Sequence, residues 1–144
     1  MRFARLALLT LLASPVAAAA APDPDIVVRA DVHRTEIERI LEADNVDTSR
    51  LSARHVADLI ANVERGRAPR DFWTAYRAHV AAWDRLAEAL DAARGHGAKS
   101  GFAGTEEVVK AEQAIEATFD EVERIARRYG ARMPTPPWQV LPTI

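Results

Sequence analysis

The apolar residues of this chain recur with the 3.6-residue period of an α-helix, and this spacing restricts the fold more than any other feature. In one segment the separations alternate between four and three positions: Phe72, Tyr76, His79, Trp83, Leu86 and Leu90. Such spacing places the side chains on one face of a helix, where they can be buried together. Because the chain contains no run that alternates apolar and polar residues as a strand does, we expect an all-α fold.

Four segments with this period predict four helices. Their predicted limits are residues 25–43, 49–65, 69–94 and 105–129. Pro69 suits the first position of a helix, and Gly66 and Gly130 suit the position that follows one. Thr105 precedes two glutamates and is the predicted cap of the fourth helix.

The connections and the carboxyl-terminal segment complete the predicted architecture. Residues 94–104 contain four glycines, which predicts a long flexible loop. Several prolines surround Trp138 in residues 131–144, so this tail cannot form a fifth helix and is predicted to be extended. We therefore expect one helical domain over residues 21–144, an antiparallel four-helix bundle with an extended Pro-rich tail.

Residues 1–20 have the composition of a secretory signal peptide. Two arginines precede the apolar run Leu6–Ala13, and small residues that end in Ala-x-Ala follow Pro15. The run is much shorter than the roughly 18–20 residues that a membrane-spanning helix needs. We therefore expect cleavage near Ala20 or Ala21 and an exported, soluble protein without a membrane span, either periplasmic or secreted.

Cysteine content and charge exclude several classes of function. The chain has no Cys, and so no disulfide, thiolate metal site or covalently attached haem. Its net charge of −2 becomes −4 once Arg2 and Arg5 are removed, and no basic cluster stands out, so we expect no nucleic-acid partner. The size and the leader resemble those of the cytochrome c-prime class. The Cys pair followed by His that attaches haem in that class is absent, so the resemblance does not imply that function.

His33 and His79 occupy positions on apolar stripes where Leu or Ile is usual. Two neutral imidazoles that meet in a helical core could bind a transition metal or ligate haem without a covalent link. Alternatively, each is a buried side chain that is hydrogen-bonded to a neighbour such as Tyr76, to a carboxylate or to a backbone carbonyl. The Glu-x-x-His motif of carboxylate-bridged di-metal bundles does not occur in the chain.

Aromatic residues concentrate in the third predicted helix. Tyr76 and Trp83, with their neighbours, could contact a flat ligand or an acyl chain between helices, or they could simply fill the core. Lys99 and Ser100 lack the flanking glycines of a phosphate-binding loop or of a nucleophile elbow. We therefore assign no catalytic residue and expect no cofactor.

Together these features predict a function in binding. We expect an exported helical-bundle protein of the bacterial envelope, without an enzymatic site, that binds a protein or a small ligand whose identity the sequence does not give. A first alternative is a carrier of a metal, of non-covalent haem or of another small ligand that uses His33 and His79. A second is an enzyme whose acid and base groups meet only in the folded chain.

The leader predicts a mature amino terminus at Ala21 or Pro22, because small residues at positions −3 and −1 suit the signal peptidase. Amino-terminal mass spectrometry of the protein recovered from the periplasm or the medium measures this directly. Recovery of a membrane-bound chain that retains Met1 or Arg2 would contradict the prediction of export.

Overall fold

The computed structural model describes residues 24–95 and 101–137, and in these ranges the chain forms helices and no strand. The elements are α1 Pro24–Asp44, a short 3₁₀ helix Thr48–Arg50, α2 Ala53–Ala61, α3 Arg70–Gly95 and α4 Gly101–Arg128. The four α-helices pack against one another, which confirms the all-α class. The predicted signal peptide and Trp138 lie outside the described residues.

The limits of α1 and α3 agree with the predicted limits to within one residue at each end. The carbonyl of Pro69 accepts the backbone N–H of Trp73 at 3.0 Å, so the proline stands directly before α3, where its missing N–H is not needed. Asp71 lies in the first turn of α3, at the positive end of the helix dipole.

The prediction of one continuous second helix over residues 49–65 is wrong. The side chain of Asp47 accepts the N–H of Ser49, and the side chain of Ser52 accepts the N–H of His55, so two caps start two separate short helices. At the other end, the Asn62 side chain donates to the Asp58 carbonyl at 2.7 Å, and α2 ends at Ala61. Local polar side chains therefore override the apolar period here.

The predicted start of the fourth helix is also wrong. Thr105 lies inside α4, which begins at Gly101, and α3 continues to Gly95. Glycine weakens a helix by only about 1 kcal/mol relative to alanine, and the segment before Thr105 contains no proline that would stop the helix. Residues 94, 95 and 101–104 of the predicted flexible loop therefore belong to helices, and residues 96–100 lie outside the described residues.

The helices bury a shared core in which α3 supplies the largest side chains. The fully buried large residues are Ile37, Ile40, Leu41, Val56, Ile60, Phe72, Tyr76, Val80 and Val122. The rings of Phe72 and Tyr76 are nearly parallel, with centroids 6.3 Å apart. Trp83 is only partly buried at the edge of this core.

The end of α4 directs the following chain back along α1. Gly130 has φ +70°, and the N–H groups of Gly130 and Ala131 donate to the carbonyls of Arg127 and Ala126, which is a Schellman termination. Beyond it, the N–H of Arg132 donates to the carboxylate of Glu38 at 3.0 Å. The chain after α4 is thereby fixed against the first helix.

Substitution of Phe72 by Ala is expected to lower the free energy of unfolding by about 3–5 kcal/mol, because a fully buried aromatic ring leaves a cavity. The substitution Glu107→Ala on the exposed face of α4 is expected to change it by at most about 0.5 kcal/mol. Urea unfolding followed by far-ultraviolet circular dichroism measures both values. Equal midpoints would show that the core face has been assigned incorrectly.

Candidate functional site

His79 on α3 is a polar side chain that is buried in the core, with 3% of its surface exposed. Its Nδ1 lies 3.2 Å from the hydroxyl of Thr118 on α4, and its Nε2 lies 3.2 Å from the indole nitrogen of Trp83 on the next turn of α3. The ring of Phe119 packs against it, with centroids 5.2 Å apart. Both ring nitrogens therefore have protein partners.

The partners of His79 fix its protonation state. The indole N–H of Trp83 can only donate, so Nε2 must accept. The Thr118 hydroxyl donates to the carbonyl of Ala114 at 2.7 Å, so its oxygen accepts from Nδ1–H. The imidazole is consequently neutral with its hydrogen on Nδ1. Burial supports this state, because it lowers the pKa of His79 to about 4.

Asp44, the last residue of α1, places a carboxyl group beside this histidine. Its side chain is 9% exposed, and its Oδ2 lies 3.8 Å from His79 Nε2, which is beyond hydrogen-bond distance. Burial raises the pKa of Asp44 to about 6. The carboxyl end of a helix also disfavours a negative charge, so two features of the site favour the protonated acid.

The hydroxyl of Tyr76 connects Asp44 to a second helix. It lies 3.3 Å from Asp44 Oδ1 and 3.2 Å from the backbone carbonyl of Ile60 on α2. Burial, together with the neighbouring Asp44, raises the pKa of Tyr76 well above its usual range, so the phenol keeps its proton. The phenol can thus donate to one acceptor at a time and accept from a protonated Asp44.

We call this group of buried, hydrogen-bonding residues the polar junction. Its members are Asp44 on α1, the Ile60 carbonyl on α2, Tyr76, His79 and Trp83 on α3, and Thr118 on α4. Every buried side-chain nitrogen or oxygen among the described residues has a hydrogen-bond partner. The junction can hold a proton on Asp44, whereas a metal at His79 would have to displace Trp83 or Thr118, because both ring nitrogens already have protein partners.

The structure brings together three of the four residues that the sequence nominated. Tyr76, His79 and Trp83 belong to the polar junction, whereas His33 packs edge-on against Tyr129 with ring centroids 5.9 Å apart. Asp44, which faces His79, is eleven residues beyond His33 on α1, a distance of about 16 Å along the helix axis. The two histidines therefore lie at different levels of the bundle and do not form a pair.

Sequence reasoning missed Asp44 and Thr118. Asp44 continues the spacing of the apolar stripe after Ile37 and Leu41, and Thr118 continues it after Ile115. A polar residue in phase with a stripe is the signal that could have identified both. In the ranges that the structure covers, no three His, Cys, Asp or Glu residues are grouped in a way that could hold a metal ion.

A shallow groove on α4 is a second feature, among the described residues, that could hold a ligand. Charged side chains line it: Asp120, Glu123, Arg124, Arg127 and Arg128. Its cations are paired with carboxylates, since Arg127 contacts Glu123 at 2.6 Å and Arg128 contacts Asp71 at 3.2 Å. These pairs neutralise the groove and leave it without a strong preference for an anion or a cation.

Comparisons with known proteins identify no relative from which a function could be inferred, so the function has to be inferred from the geometry of this chain. No protein-family model matches the chain, and no curated protein sequence or solved structure matches it either. None of the helices in residues 24–95 and 101–137 has the length and apolar character that a membrane crossing requires.

Zinc, copper or haem is expected to leave the melting temperature of the protein unchanged, because both nitrogens of His79 are engaged and His33 lies at another level. A ligand at 100 times its dissociation constant stabilises a folded protein by about 2.7 kcal/mol if it binds only that state, which a thermal scan detects readily. A clear increase that is lost in both His33→Ala and His79→Ala would restore the carrier hypothesis.

Proposed function

We propose that this chain is an exported helical-bundle protein that binds a partner protein in the bacterial envelope. One observation carries this proposal: the apolar stripe of α1 extends beyond the core. Ile37 and Ile40 are completely buried, whereas Ile26, on the same stripe, is 63% exposed. The first turns of α1 therefore carry the spacing of a buried surface without being covered by the bundle.

The exposed part of α1 has the character of a surface that a second protein covers. The next residue of the stripe, Ala30, is exposed as well. A helical segment of this length is marginal in water by itself, so it depends on its continuity with the anchored half of α1. Burial of one large aliphatic side chain contributes about 1.5–3 kcal/mol, which favours a partner that presents an apolar groove or helix face.

Charged residues frame this exposed stripe. Asp25, Arg29, Asp31 and Arg34 alternate in sign along the same turns, and Arg34 contacts Asp31 at 3.0 Å. Mixed charge around an apolar centre is typical of protein interfaces. It is less suited to an anionic membrane surface, which attracts a predominantly basic face.

The predicted leader supports the location. If cleavage occurs near Ala20 or Ala21, α1 begins within a few residues of the mature amino terminus, so the exposed stripe stands near the free end of the chain. A protein without cysteine is compatible with an oxidising compartment. The periplasm or the medium is therefore the compartment in which we expect the partner.

We also propose that the helices run up, down, up and down. Two contacts support this order: Asp71 contacts Tyr129, and His79 contacts Thr118. Residue numbers along α4 thus decrease as those along α3 increase, as expected for two antiparallel helices. An extended Pro-rich tail that docks along α1 completes the proposed architecture. The hydrogen bond from the Asn45 side chain to the Thr135 carbonyl, 2.8 Å long, supports this position.

Photo-crosslinking in cells that export the protein tests the proposed surface. With a photoreactive amino acid at residue 30, the exposed stripe position next to Ile26, we expect a covalent adduct to one protein, and Ile26→Asp should weaken its capture at least about tenfold because a charge cannot replace a buried aliphatic group. The matched control is Leu59→Asp, which changes an aliphatic side chain that is 50% exposed on α2.

The control variant should retain the adduct, and both variants should keep the melting temperature of the wild-type protein because neither residue is buried. An adduct that survives Ile26→Asp, or that is lost in Leu59→Asp instead, would show that the exposed half of α1 is not the binding surface.

A further inference from the structure

Two titratable groups in the polar junction respond to burial in opposite directions. We propose that Asp44 and His79 form a compensating pair whose opposite responses cancel, so that together the two groups leave the stability of the folded bundle unchanged across mildly acidic pH. The relevance of this property to a protein facing the external medium rests on the proposed export. The property itself follows from the contacts of the two side chains and can be tested independently.

The contacts of His79 make its protonation unfavourable in the folded state. A proton on Nε2 would face the indole N–H of Trp83, and two donors would then point at each other. On α4, the facing groups are the Thr118 hydroxyl and the Ile115 carbonyl, both next to Nδ1. In the unfolded chain the imidazole is free to bind a proton, so acidification shifts the equilibrium toward unfolding through this residue.

Burial of Asp44 favours the opposite response, and it outweighs the hydrogen bond that Tyr76 can donate to the ionised carboxylate, which lowers the pKa of Asp44. A protonated Asp44 can donate to the oxygen of Tyr76, and Tyr76 can then donate to the Ile60 carbonyl, so every member of this chain of bonds is satisfied. An ionised Asp44 instead leaves a buried charge at the carboxyl end of α1. Acidification therefore stabilises the folded state through this residue.

Other charged groups near the polar junction do not reverse the pKa shifts of Asp44 and His79. Arg39 on α1 and Arg77 on α3 are the cations that act on Tyr76, and both lower its pKa. The facing group on α2 is the Ile60 carbonyl. For both Asp44 and His79, burial remains the largest influence on the pKa.

The two responses cancel over a defined range of pH. Folding raises the pKa of Asp44 from 3.8 to about 6, so its contribution is present below pH 3.8 and is lost as the pH rises through 6. Folding lowers the pKa of His79 from 6.5 to about 4, so its contribution is present above pH 6.5 and is lost as the pH falls through 4. Between about pH 4 and 6, the folded state holds one proton on Asp44 and the unfolded state holds one on His79, so unfolding takes up no net proton through these two groups.

Replacing one member of the pair should reveal the pH dependence of unfolding that the other member causes. In His79→Gln, whose amide oxygen can still accept from Trp83, we expect the unfolding equilibrium constant, divided by that of the variant with both substitutions, to increase about 100-fold between pH 4 and pH 6.5. In Asp44→Asn we expect it to decrease about 100-fold over the same range. The double variant is the matched control, since it keeps all surface carboxylates while it lacks both titrating groups.

Urea unfolding at a series of pH values gives these constants. The wild-type protein and the double variant should have parallel pH profiles, and the single variants should diverge from them in opposite directions. Single variants with profiles parallel to the wild-type profile, or diverging in the same direction, would overturn the proposal.

Nuclear magnetic resonance of the wild-type protein provides a second test that needs no substitution. At about pH 5, the ring nitrogen shifts of His79 should report a neutral imidazole with its hydrogen on Nδ1, and the carboxyl carbon of Asp44 should report a protonated acid. An imidazolium beside an ionised carboxylate at that pH would hold the same number of protons. This result would overturn the assignment of the proton to Asp44.

Discussion

The hydroxyl of Tyr76 is the contact on which the arrangement of the first three helices depends. Its aromatic ring is fully buried in the core, and its oxygen reaches Asp44 on α1 and the Ile60 carbonyl on α2. An apolar core accepts small shifts of one helix against another, whereas a buried hydrogen bond is satisfied only at one position. The polar junction therefore fixes the register of helices that apolar burial alone would hold less specifically.

The same junction explains why a histidine and an aspartate are tolerated in a core. Each would destabilise the fold if it were buried as a charge, because desolvation opposes ionisation of both groups. Hydrogen bonds from Trp83 and to Thr118 instead hold His79 neutral, and the position of Asp44 favours its protonated form. Groups that resemble an acid–base site are in this way used inside the fold.

The two halves of α1 differ in how far their apolar residues are buried. Its carboxyl-terminal half contributes Ile37, Ile40 and Leu41 to the core and ends at Asp44 in the junction. Its amino-terminal half continues the same apolar spacing where the bundle does not cover it. A partner protein bound there would extend the packing of the core along a helix that is already anchored at its other end.

The sequence by itself determined the helical class, the limits of α1 and α3 and the burial of His79, because apolar spacing along a helix is a local property. It did not determine the break between the 3₁₀ helix and α2, where capping side chains override that spacing, nor the start of α4. Only the tertiary structure decided which polar groups meet. Asp44 and Thr118 reach His79 from 35 and 39 positions away in the chain, and such contacts follow from how the helices pack.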